Sequence, residues 1–314
     1  MDLHISFHDG TIHSINNVYK NLGKKIYTEK STLPLYISKD DANRIWDYFS
    51  KYYKQFSTII ITDTVMLARP FLQNMDKHEI NIIVYITNRF NWGIWGFEDN
   101  DYYQTYSIMS KNPRVKFIAD NMYDQYFASL YEINFLFPII RHQSVVIDSP
   151  NLSFDEKVFI YNRGTKVEKY IENVSYNYEI FGENYQRYRD INHILEFKCF
   201  LHLPYQTNIM SLWENLGYGV VYFIPSQSLL EKWIYTEDWY YWEEQHKPEP
   251  IKSNSIKLSE WYSDYTKDLF IYFDSWDDFH EKLKTTNIKE KRLTIINFMK
   301  KHNEIYNNIW KQLL

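Results

Sequence analysis

Short runs of β-branched and aromatic residues alternate along this chain with longer stretches of helical periodicity. In the first half these runs are LHISF (3–7), STIIITD (57–63), INIIVYITN (80–88), RVKFIAD (114–120) and SVVID (144–148). Most of them are continuously apolar, which is typical of strands that are buried on both faces. Their alternation with helical stretches predicts a mainly parallel sheet that helices cover.

Helical stretches separate these runs. Residues 38–53 begin with SKDD, which fits a capping pattern at a helix N-terminus, and residues 121–135 form a second expected helix. The segment SPNLSF (149–154) then interrupts the alternation. Its clustered Pro, Asn and Ser residues are typical of a linker.

The alternation of strands and helices resumes after this linker. Its strand-like runs are KVFIYNRG (157–164), YEIFG (178–182), KCFLHL (198–203) and GVVYFIP (219–225), with helices expected from Val167 and near 192–196. Residues 288–314 predict a long amphipathic helix that closes the chain. Its expected apolar face consists of Leu293, Ile296, Phe298, Ile305 and Ile309.

These patterns predict an α/β protein with two Rossmann-like, doubly wound domains that face one cleft. We expect an N-terminal domain at 1–150 and a C-terminal domain at 151–287. The helix at 288–314 is expected either to pack back on the first domain or to form a dimer contact. Ligands of open α/β sheets bind at the carboxyl ends of the strands, so the cleft is where chemistry is expected.

The composition argues against some classes of ligand and against a membrane location. The net charge is −5 and no block of five or more basic residues occurs, which argues against a nucleic-acid ligand. The single cysteine, Cys199, fits a reducing compartment. The first residues do not resemble a secretory signal, and no apolar run approaches the ~20 residues of a membrane span. We therefore expect a soluble, cytoplasmic protein without a transmembrane segment.

One carboxylate stands in the helix expected between the last two strands. The stretch FLHLPYQTNIMSLWENLGYGVVYFIPS reads as a strand, a turn, a helix with Glu214 and a further strand. We expect Tyr205, Gln206 and Thr207 at the helix N-terminus, with Thr207 as the N-cap, where free N–H groups favour an anion. Glu214 lies two turns farther along and is expected to point into the same cleft. The alternative is a solvated helix acid.

The part SLWENLGYGVVYFIPS resembles the donor-binding unit of GT-B glycosyltransferases, in which a helix with a glutamate precedes a small residue and an apolar strand. Gly217 and Gly219 stand before the strand here. More narrowly, PYQTNIMSLWE and YITNRF resemble segments of exostosin-like glycosyltransferases of large DNA viruses and algae. The resemblance implies that Glu214 holds the ribose of a nucleotide-sugar and that the helix N-terminus, Asn208 included, holds its diphosphate. A viral source would imply the host cytoplasm.

The second half offers further donor-binding residues. Arg163 directly follows a strand, beside Gly164 and before a helix, so its guanidinium fork could clamp a diphosphate. Lys166 is a weaker second candidate. The stretch FGENYQRYRDI is expected to supply a pocket for the nucleotide base, with Tyr185 or Tyr188 as the stacking face. The alternative for Arg163 is a surface arginine paired with a neighbouring acid.

The loop after the first strand, FHDGTIHSINN (7–17), is the expected position of the catalytic base. In inverting GT-B enzymes the base often lies in this loop as Asp or His, and the resemblance therefore implies Asp9 first, with His13 and His8 behind it. Such a base takes a proton from the acceptor hydroxyl. The alternative is that these side chains only stabilise a turn.

Polar residues also follow two other strands of the first half. YITNRFNWG places Asn88, Arg89 and Trp92 just past a buried strand, where we expect acceptor-side or interdomain contacts. Asp63 also ends a strand, and we expect it to cap the following helix. EDND (98–101) superficially resembles the metal-holding DxD of GT-A enzymes, but it follows a turn rather than a strand and is expected to be a solvated loop.

Several motifs are missing from the sequence. No His/Cys set has zinc-ligand spacing, and GxGxxG, GxxxxGK[ST] and GxSxG do not occur. We therefore expect no metal and no cofactor. The resemblance to GT-B glycosyltransferases implies a UDP- or GDP-sugar as co-substrate. The predicted function is transfer of a hexosyl or pentosyl group to a hydroxyl of a glycan or glycoprotein, inverting and metal-independent. The alternatives are a nucleotide-sugar epimerase of the same architecture, a non-catalytic glycan-binding protein and a structural protein.

Overall fold

The computed structural model describes residues 1–94, 99–135, 137–149, 152–163, 167–172, 174–246 and 254–314. They form two compact units. Unit 1 comprises Met1–Gln143 and Ile305–Leu314, and unit 2 comprises Ser144–Glu304. Within the described residues no helix combines the length and the apolarity that a membrane crossing requires.

Unit 1 is built on a parallel sheet of five strands. These are β1 (Asp2–Ser6), β2 (Ile26–Lys30), β3 (Thr58–Ile61), β4 (Asn81–Ile86) and β5 (Val115–Ala119). They lie in the order β2-β1-β3-β4-β5, and every neighbouring pair runs parallel. Ile59, Ile60 and Ile61 of β3 are all inaccessible to solvent. Burial on both faces explains why this strand is an unbroken β-branched run.

Helices join the strands of unit 1. They are α1 (Asp9–Asn21), α2 (Lys39–Tyr53), α3 (Arg69–Leu72), α4 (Asn100–Met109) and α5 (Met122–Ser129). The predicted start of α2 is confirmed, since the Ser38 hydroxyl accepts from the Asp41 N–H and the Asp41 carboxylate accepts from the Ser38 N–H. Helix α5 has its N-cap at Asn121 as expected, but it ends at Ser129 rather than at 135.

Unit 2 repeats this arrangement. Its strands are β6 (Asp155–Asn162), β7 (Tyr178–Gly182), β8 (Phe197–Leu201), β9 (Tyr222–Pro225) and β10 (Ile271–Phe273). They lie in the order β7-β6-β8-β9-β10, again parallel throughout, so the order within the unit is the same as in unit 1. The prediction of two Rossmann-like, doubly wound α/β units is confirmed.

The helices of unit 2 include the one that the sequence singled out. They are α6 (Val167–Ile171), α7 (Ile191–Leu195), α8 (Ser211–Gly217), α9 (Gln227–Thr236), α10 (Trp242–His246), α11 (Trp276–Thr285) and α12 (Ile288–Leu313). Helix α8 connects β8 to β9 and contains Glu214, as predicted. Its buried side chains Leu212, Trp213 and Leu216 face the core of unit 2.

The strand predictions failed at three places. Residues 144–148 do not form a strand; the Ile147 N–H donates to the Gly217 carbonyl at the end of α8. A Cβ at Gly217 would lie 2.3 Å from the Val145 oxygen, so this segment lies directly against the helix. Strands β2 and β10 were not predicted. Strand β2, IYTEK, is an exposed edge strand, and β10 has only three residues.

The terminal helix exists, but its predicted apolar face is only partly correct, since Ile296 is buried whereas Leu293 and Ile305 are not. Leu293 and Ile305 are 44% and 50% exposed. Most of the buried positions are spaced by three or four along α12, at Ile288, Arg292, Ile295, Met299, His302, Tyr306, Trp310 and Leu313, and Ile296 is buried beside them. Arg292 and His302 belong to this stripe, and a search for apolar residues alone passes over them. Arg292 donates there to backbone carbonyl groups, including that of Phe197 at 2.7 Å.

Candidate functional site

The carboxyl edge of the sheet in unit 2 has a topological switch point. Strands β6 and β8 are neighbours, and the chain continues from β6 to β7 on one side and from β8 to β9 on the other. Divergent connections of this kind leave a crevice at the carboxyl ends of the two strands, where open α/β sheets bind ligands. Arg163 directly follows β6, and the segment 202–208 follows β8.

A cavity of about 1040 Å³ opens at this edge. Three of the residues predicted to bind the donor, Arg163, Tyr185 and Glu214, line it. Tyr188, the second base-stacking candidate, lines it as well, and so does Arg187, which sequence reasoning did not select. The structure therefore brings together residues from the ends of β6 and β7 and from helix α8.

Arg163 lies near several tyrosine hydroxyl groups. The interaction with Tyr205 raises the pKa of the Arg163 guanidinium, and a hydrogen bond with Tyr161 acts in the same direction. Burial raises the pKa of Tyr205 to about 12, although the charge of Arg163 opposes this rise. The guanidinium therefore stays charged, and Tyr205 stays neutral, throughout the neutral pH range.

Aromatic rings form part of the cavity wall. Tyr188 packs edge-on against Phe159 and Tyr161, with 5.7 Å between ring centroids in each pair. Tyr185, in contrast, donates its hydroxyl proton to Glu168 on α6. Together with Tyr185, Tyr188 gives the cavity flat apolar surfaces that suit a nucleobase.

The segment 205–208 differs from the prediction. Helix α8 begins at Ser211, and Met210 occupies the N-cap position without a side-chain cap. Thr207 is therefore not the N-cap. Its N–H and its hydroxyl both donate to Glu243 at 3.2 Å, inside unit 2. The reason is that the buried carboxylate of Glu243 accepts hydrogen bonds from Thr207, whose groups the sequence pattern assigns to the start of α8.

The neighbours of Thr207 are also held by the protein itself. The Gln206 side chain donates to the Asn208 carbonyl at 2.6 Å, and the Tyr205 carbonyl accepts from the Trp242 N–H at 2.8 Å. Asn208 is buried. Two other donor-site candidates, Gly164 and Lys166, lie outside the described residues.

The base candidates lie at the start of α1. His8 is the N-cap, and its Nδ1 accepts from the Gly10 N–H at 3.0 Å. In neutral imidazole this acceptor role leaves the proton on Nε2. Asp9 is exposed and lies 2.8 Å from Lys30 Nζ, which lowers the pKa of the Asp9 carboxyl. His13 is exposed on the first turns of α1.

The acceptor-side candidates have different surroundings. Arg89 is buried, and its guanidinium donates to both oxygens of Asp124 at 2.6 and 2.8 Å. It also lies over the ring of Tyr123. Trp92 is half-buried in a 3-10 helix, Trp92–Ile94. Asn88 donates to Asp63 Oδ1 at 3.5 Å.

Asp63 is the residue of unit 1 that sequence reasoning undervalued. It follows β3 at the switch point between β1 and β3, and it adopts a left-handed backbone with φ +63°. Its N–H donates to Thr87 Oγ1 at 2.8 Å. Burial raises the pKa of its carboxyl, while the charge of His8 partly opposes that rise. The expected helix cap is wrong, because Thr64 is the N-cap of the following 3-10 helix and no side chain caps it.

Two acids of the DxD-like stretch, Asp99 and Asp101, are structural, whereas Glu98 lies outside the described residues. Asp99 is the N-cap of α4, and it forms an ion pair of 2.5 Å with Arg69, which is fully buried. Asp101 contacts Arg69 at 3.0 Å and Lys39 at 2.6 Å. The expected solvated loop is therefore wrong for these two residues. Within the described parts of the chain, no three His, Cys, Asp or Glu side chains are placed to hold a metal ion.

Neither a protein-family model nor a curated protein sequence matches the chain. Among solved structures it is similar to UGT89C1 of Arabidopsis thaliana in complex with UDP, with 10% identity and a TM-score of 0.46 over 98% of this chain and 97% of that chain. It is also similar to a protein described as a UDP-N-acetylglucosamine 2-epimerase of Listeria monocytogenes, with 9% identity and a TM-score of 0.47 over 94% of this chain and 90% of that chain. Similarity at this level assigns no activity, so the function has to be inferred from the side chains.

Proposed function

We propose that this chain is a glycosyltransferase of the GT-B class, of exostosin-like type, that moves a sugar from a nucleotide donor to a hydroxyl of a glycan. One observation supports the proposal most strongly: Arg163, Glu214 and Tyr185 line a single cavity at the carboxyl edge of the sheet in unit 2. A guanidinium, a carboxylate and an aromatic ring match the diphosphate, the ribose and the base of a nucleotide-sugar.

Each of these residues has one role in the proposal. Glu214 accepts hydrogen bonds from the ribose hydroxyl groups, which its exposed carboxylate can do without breaking any bond within the described residues. Arg163 holds the diphosphate, with Gly164 and Lys166 beside it in the sequence. The rings of Tyr185 and Tyr188 flank the base.

The proposed reaction is a single displacement that inverts the anomeric carbon and needs no metal ion. The acceptor oxygen attacks this carbon, the bond from carbon to the diphosphate oxygen breaks, and the electron pair leaves on that oxygen. Arg163 stabilises the charge that develops on the departing diphosphate. The acceptor proton passes to a base in unit 1, for which Asp9 is the first candidate, followed by His13 and His8.

Calorimetric titration with UDP-, GDP- and dTDP-sugars tests the donor site. The wild type is expected to bind one class of nucleotide-sugar, and Glu214→Gln is expected to raise the Kd about tenfold or more because it removes a charged hydrogen-bond acceptor. Glu281→Gln is the matched control, since Glu281 is exposed on α11 and does not line the cavity. Failure of all three classes to bind, or equal Kd values for Glu214→Gln and Glu281→Gln, contradicts the proposal.

Turnover separates the transferase from its alternatives. A glycosyltransferase releases free nucleotide faster when a suitable glycan is present, whereas an epimerase converts the donor sugar without any acceptor. A glycan-binding protein without catalytic activity does neither. Release of nucleotide is therefore followed with and without a panel of glycans, together with the configuration of the remaining donor.

A further inference from the structure

The cavity of unit 2 has three arginines in its described lining, and two of them interact with neighbouring side chains. Arg189 forms an ion pair of 2.6 Å with Glu196. Arg163 interacts with Tyr205. Arg187 is exposed and makes no hydrogen bond or ion pair with any residue in the described part of the chain. Unlike Arg189, it can therefore bind a ligand without first breaking an ion pair.

The loop that carries Arg187 is held in a tight turn. The Gly182 N–H donates to the Gln186 carbonyl at 3.2 Å, and the Tyr185 N–H donates to the Gly182 carbonyl at 3.0 Å. The loop ends at Asp190, whose carboxylate caps α7. Bonds at both ends restrict the loop, so less conformational entropy is lost when Arg187 contacts a ligand.

Gly182 is required at the beginning of this loop. Its φ is +108°, and a Cβ there would lie only 2.1 Å from the Asn162 carbonyl oxygen. Only glycine has easy access to this backbone conformation and lets the two backbone segments approach so closely. The turn that presents Arg187 thus depends on a residue without a side chain.

The charged groups of the cavity indicate which chemical groups a ligand needs in order to bind there. Glu214 on α8 lines the same cavity, and no bond to a described residue engages its carboxylate. Arg187 and Glu214 do not pair with each other. A single ligand that satisfies both needs an anionic group for the guanidinium and hydroxyl donors for the carboxylate.

We propose that Arg187 binds the phosphate groups of the ligand together with Arg163, and that it strengthens the preference of the cavity for a nucleoside diphosphate over a nucleoside. This assignment rests on the proposed function, because it takes the ligand to be a nucleotide-sugar and places the diphosphate of that ligand on Arg187. The planar guanidinium donates two parallel hydrogen bonds to phosphate oxygens, which gives both charge compensation and orientation.

Calorimetric Kd values for UDP, GDP, uridine and guanosine test the proposal. Arg187→Gln is expected to raise the Kd of the bound diphosphate about tenfold or more and to change that of its nucleoside less than about twofold. Arg187→Lys keeps the charge without the fork and is expected to lie between the wild type and Arg187→Gln. Lys284→Gln removes one positive charge at an exposed site on α11, outside the cavity lining, and is expected to match the wild type.

Two results for these variants would overturn the assignment. Equal weakening of diphosphate and nucleoside means that Arg187 contacts the base or the ribose, and an unchanged diphosphate Kd means that it contacts no phosphate. If the wild type binds no nucleotide, the proposed function fails, and inorganic pyrophosphate then decides the inference separately. If the wild type binds pyrophosphate and Arg187→Gln weakens that binding about tenfold, the assignment of Arg187 to an anion site stands. If the wild type does not bind pyrophosphate, the assignment is wrong.

Discussion

The ammonium group of Lys30 donates hydrogen bonds to both carboxylate oxygens of Asp9, at 2.9 and 2.8 Å. Lys30 is the last residue of β2 and Asp9 is the first of α1, so the sheet order brings them together. Both side chains are exposed, and such pairs contribute little to stability. The pair matters for chemistry, because Lys30 lowers the pKa of Asp9 and a carboxylate of lower pKa is a weaker proton acceptor.

Replacing Lys30 with Met is expected to raise the pKa of Asp9 toward the ordinary carboxyl range. If Asp9 is the base, the rate falls as its carboxylate is protonated, so the acidic limb of the pH–rate profile moves to higher pH in Lys30→Met. The measurement is kcat/KM against pH for the wild type, Lys30→Met and Lys20→Met. Lys20 is an exposed lysine at the other end of α1 and serves as the control. An acidic limb at the same pH in all three proteins removes Asp9 from the mechanism.

Asp63→Asn is expected to stabilise the protein at neutral pH. Burial raises the pKa of Asp63, so the folded state binds the proton more tightly than the unfolded chain. The stabilisation from this group is complete below the ordinary carboxyl pKa and is lost as the pH rises through the raised pKa. Asparagine tolerates the left-handed backbone and has no charge to bury.

We expect Asp63→Asn to raise the free energy of unfolding at pH 7, because the wild type keeps a charged carboxylate at a half-buried position there and the variant does not. At pH 3, where the carboxyl is protonated in both states, the difference is expected to vanish. Urea denaturation at the two pH values measures both quantities. A variant that is less stable than the wild type at pH 7 contradicts this account of Asp63.

Asp99→Ala is expected to lower the free energy of unfolding by about 3 kcal/mol, because it leaves the buried guanidinium of Arg69 without its principal partner. Asp264→Ala is the matched control. Asp264 pairs with Lys267 on the surface, where loss of an ion pair has little effect on stability. Urea denaturation at pH 7 compares the two variants. Similar small losses in both would show that Asp99 is not a structural partner of Arg69.

Thr207→Val is expected to destabilise unit 2 by about 1–2 kcal/mol, because it removes the hydroxyl that donates to the buried carboxylate of Glu243. Thr285→Val is the control, since its hydroxyl donates to a backbone carbonyl at the exposed end of α11. Thermal unfolding of both variants is the measurement. If Thr207→Val is as stable as Thr285→Val, the hydrogen bond of Thr207 to Glu243 does not stabilise unit 2. If Thr207→Val lowers the affinity for the donor without loss of stability, the donor-binding role expected from the sequence is correct.

The donor-side residues show how far sequence reasoning extends. The sequence indicates Arg163 and Glu214 because one follows a strand and the other lies in a crossover helix, and the carboxyl edge of a parallel sheet brings such positions together. Thr207 was misassigned, because its partner Glu243 lies in a segment whose irregular pattern gives no indication of where it packs. Arg187 was overlooked for a related reason: its lack of a partner becomes visible only when its neighbours are placed.

Local patterns in the sequence determined most of the strands and helices and, with them, two parallel sheets that helices cover. Continuous apolar runs such as β3 and the capping box of α2 depend on residues that are close along the chain. Tertiary structure alone decided which charged groups have partners: Lys30 with Asp9, Arg69 with Asp99, and Arg187 with no described residue. The physical reason is that backbone geometry follows from neighbouring residues, whereas pairing and burial of charge depend on groups far apart in the chain.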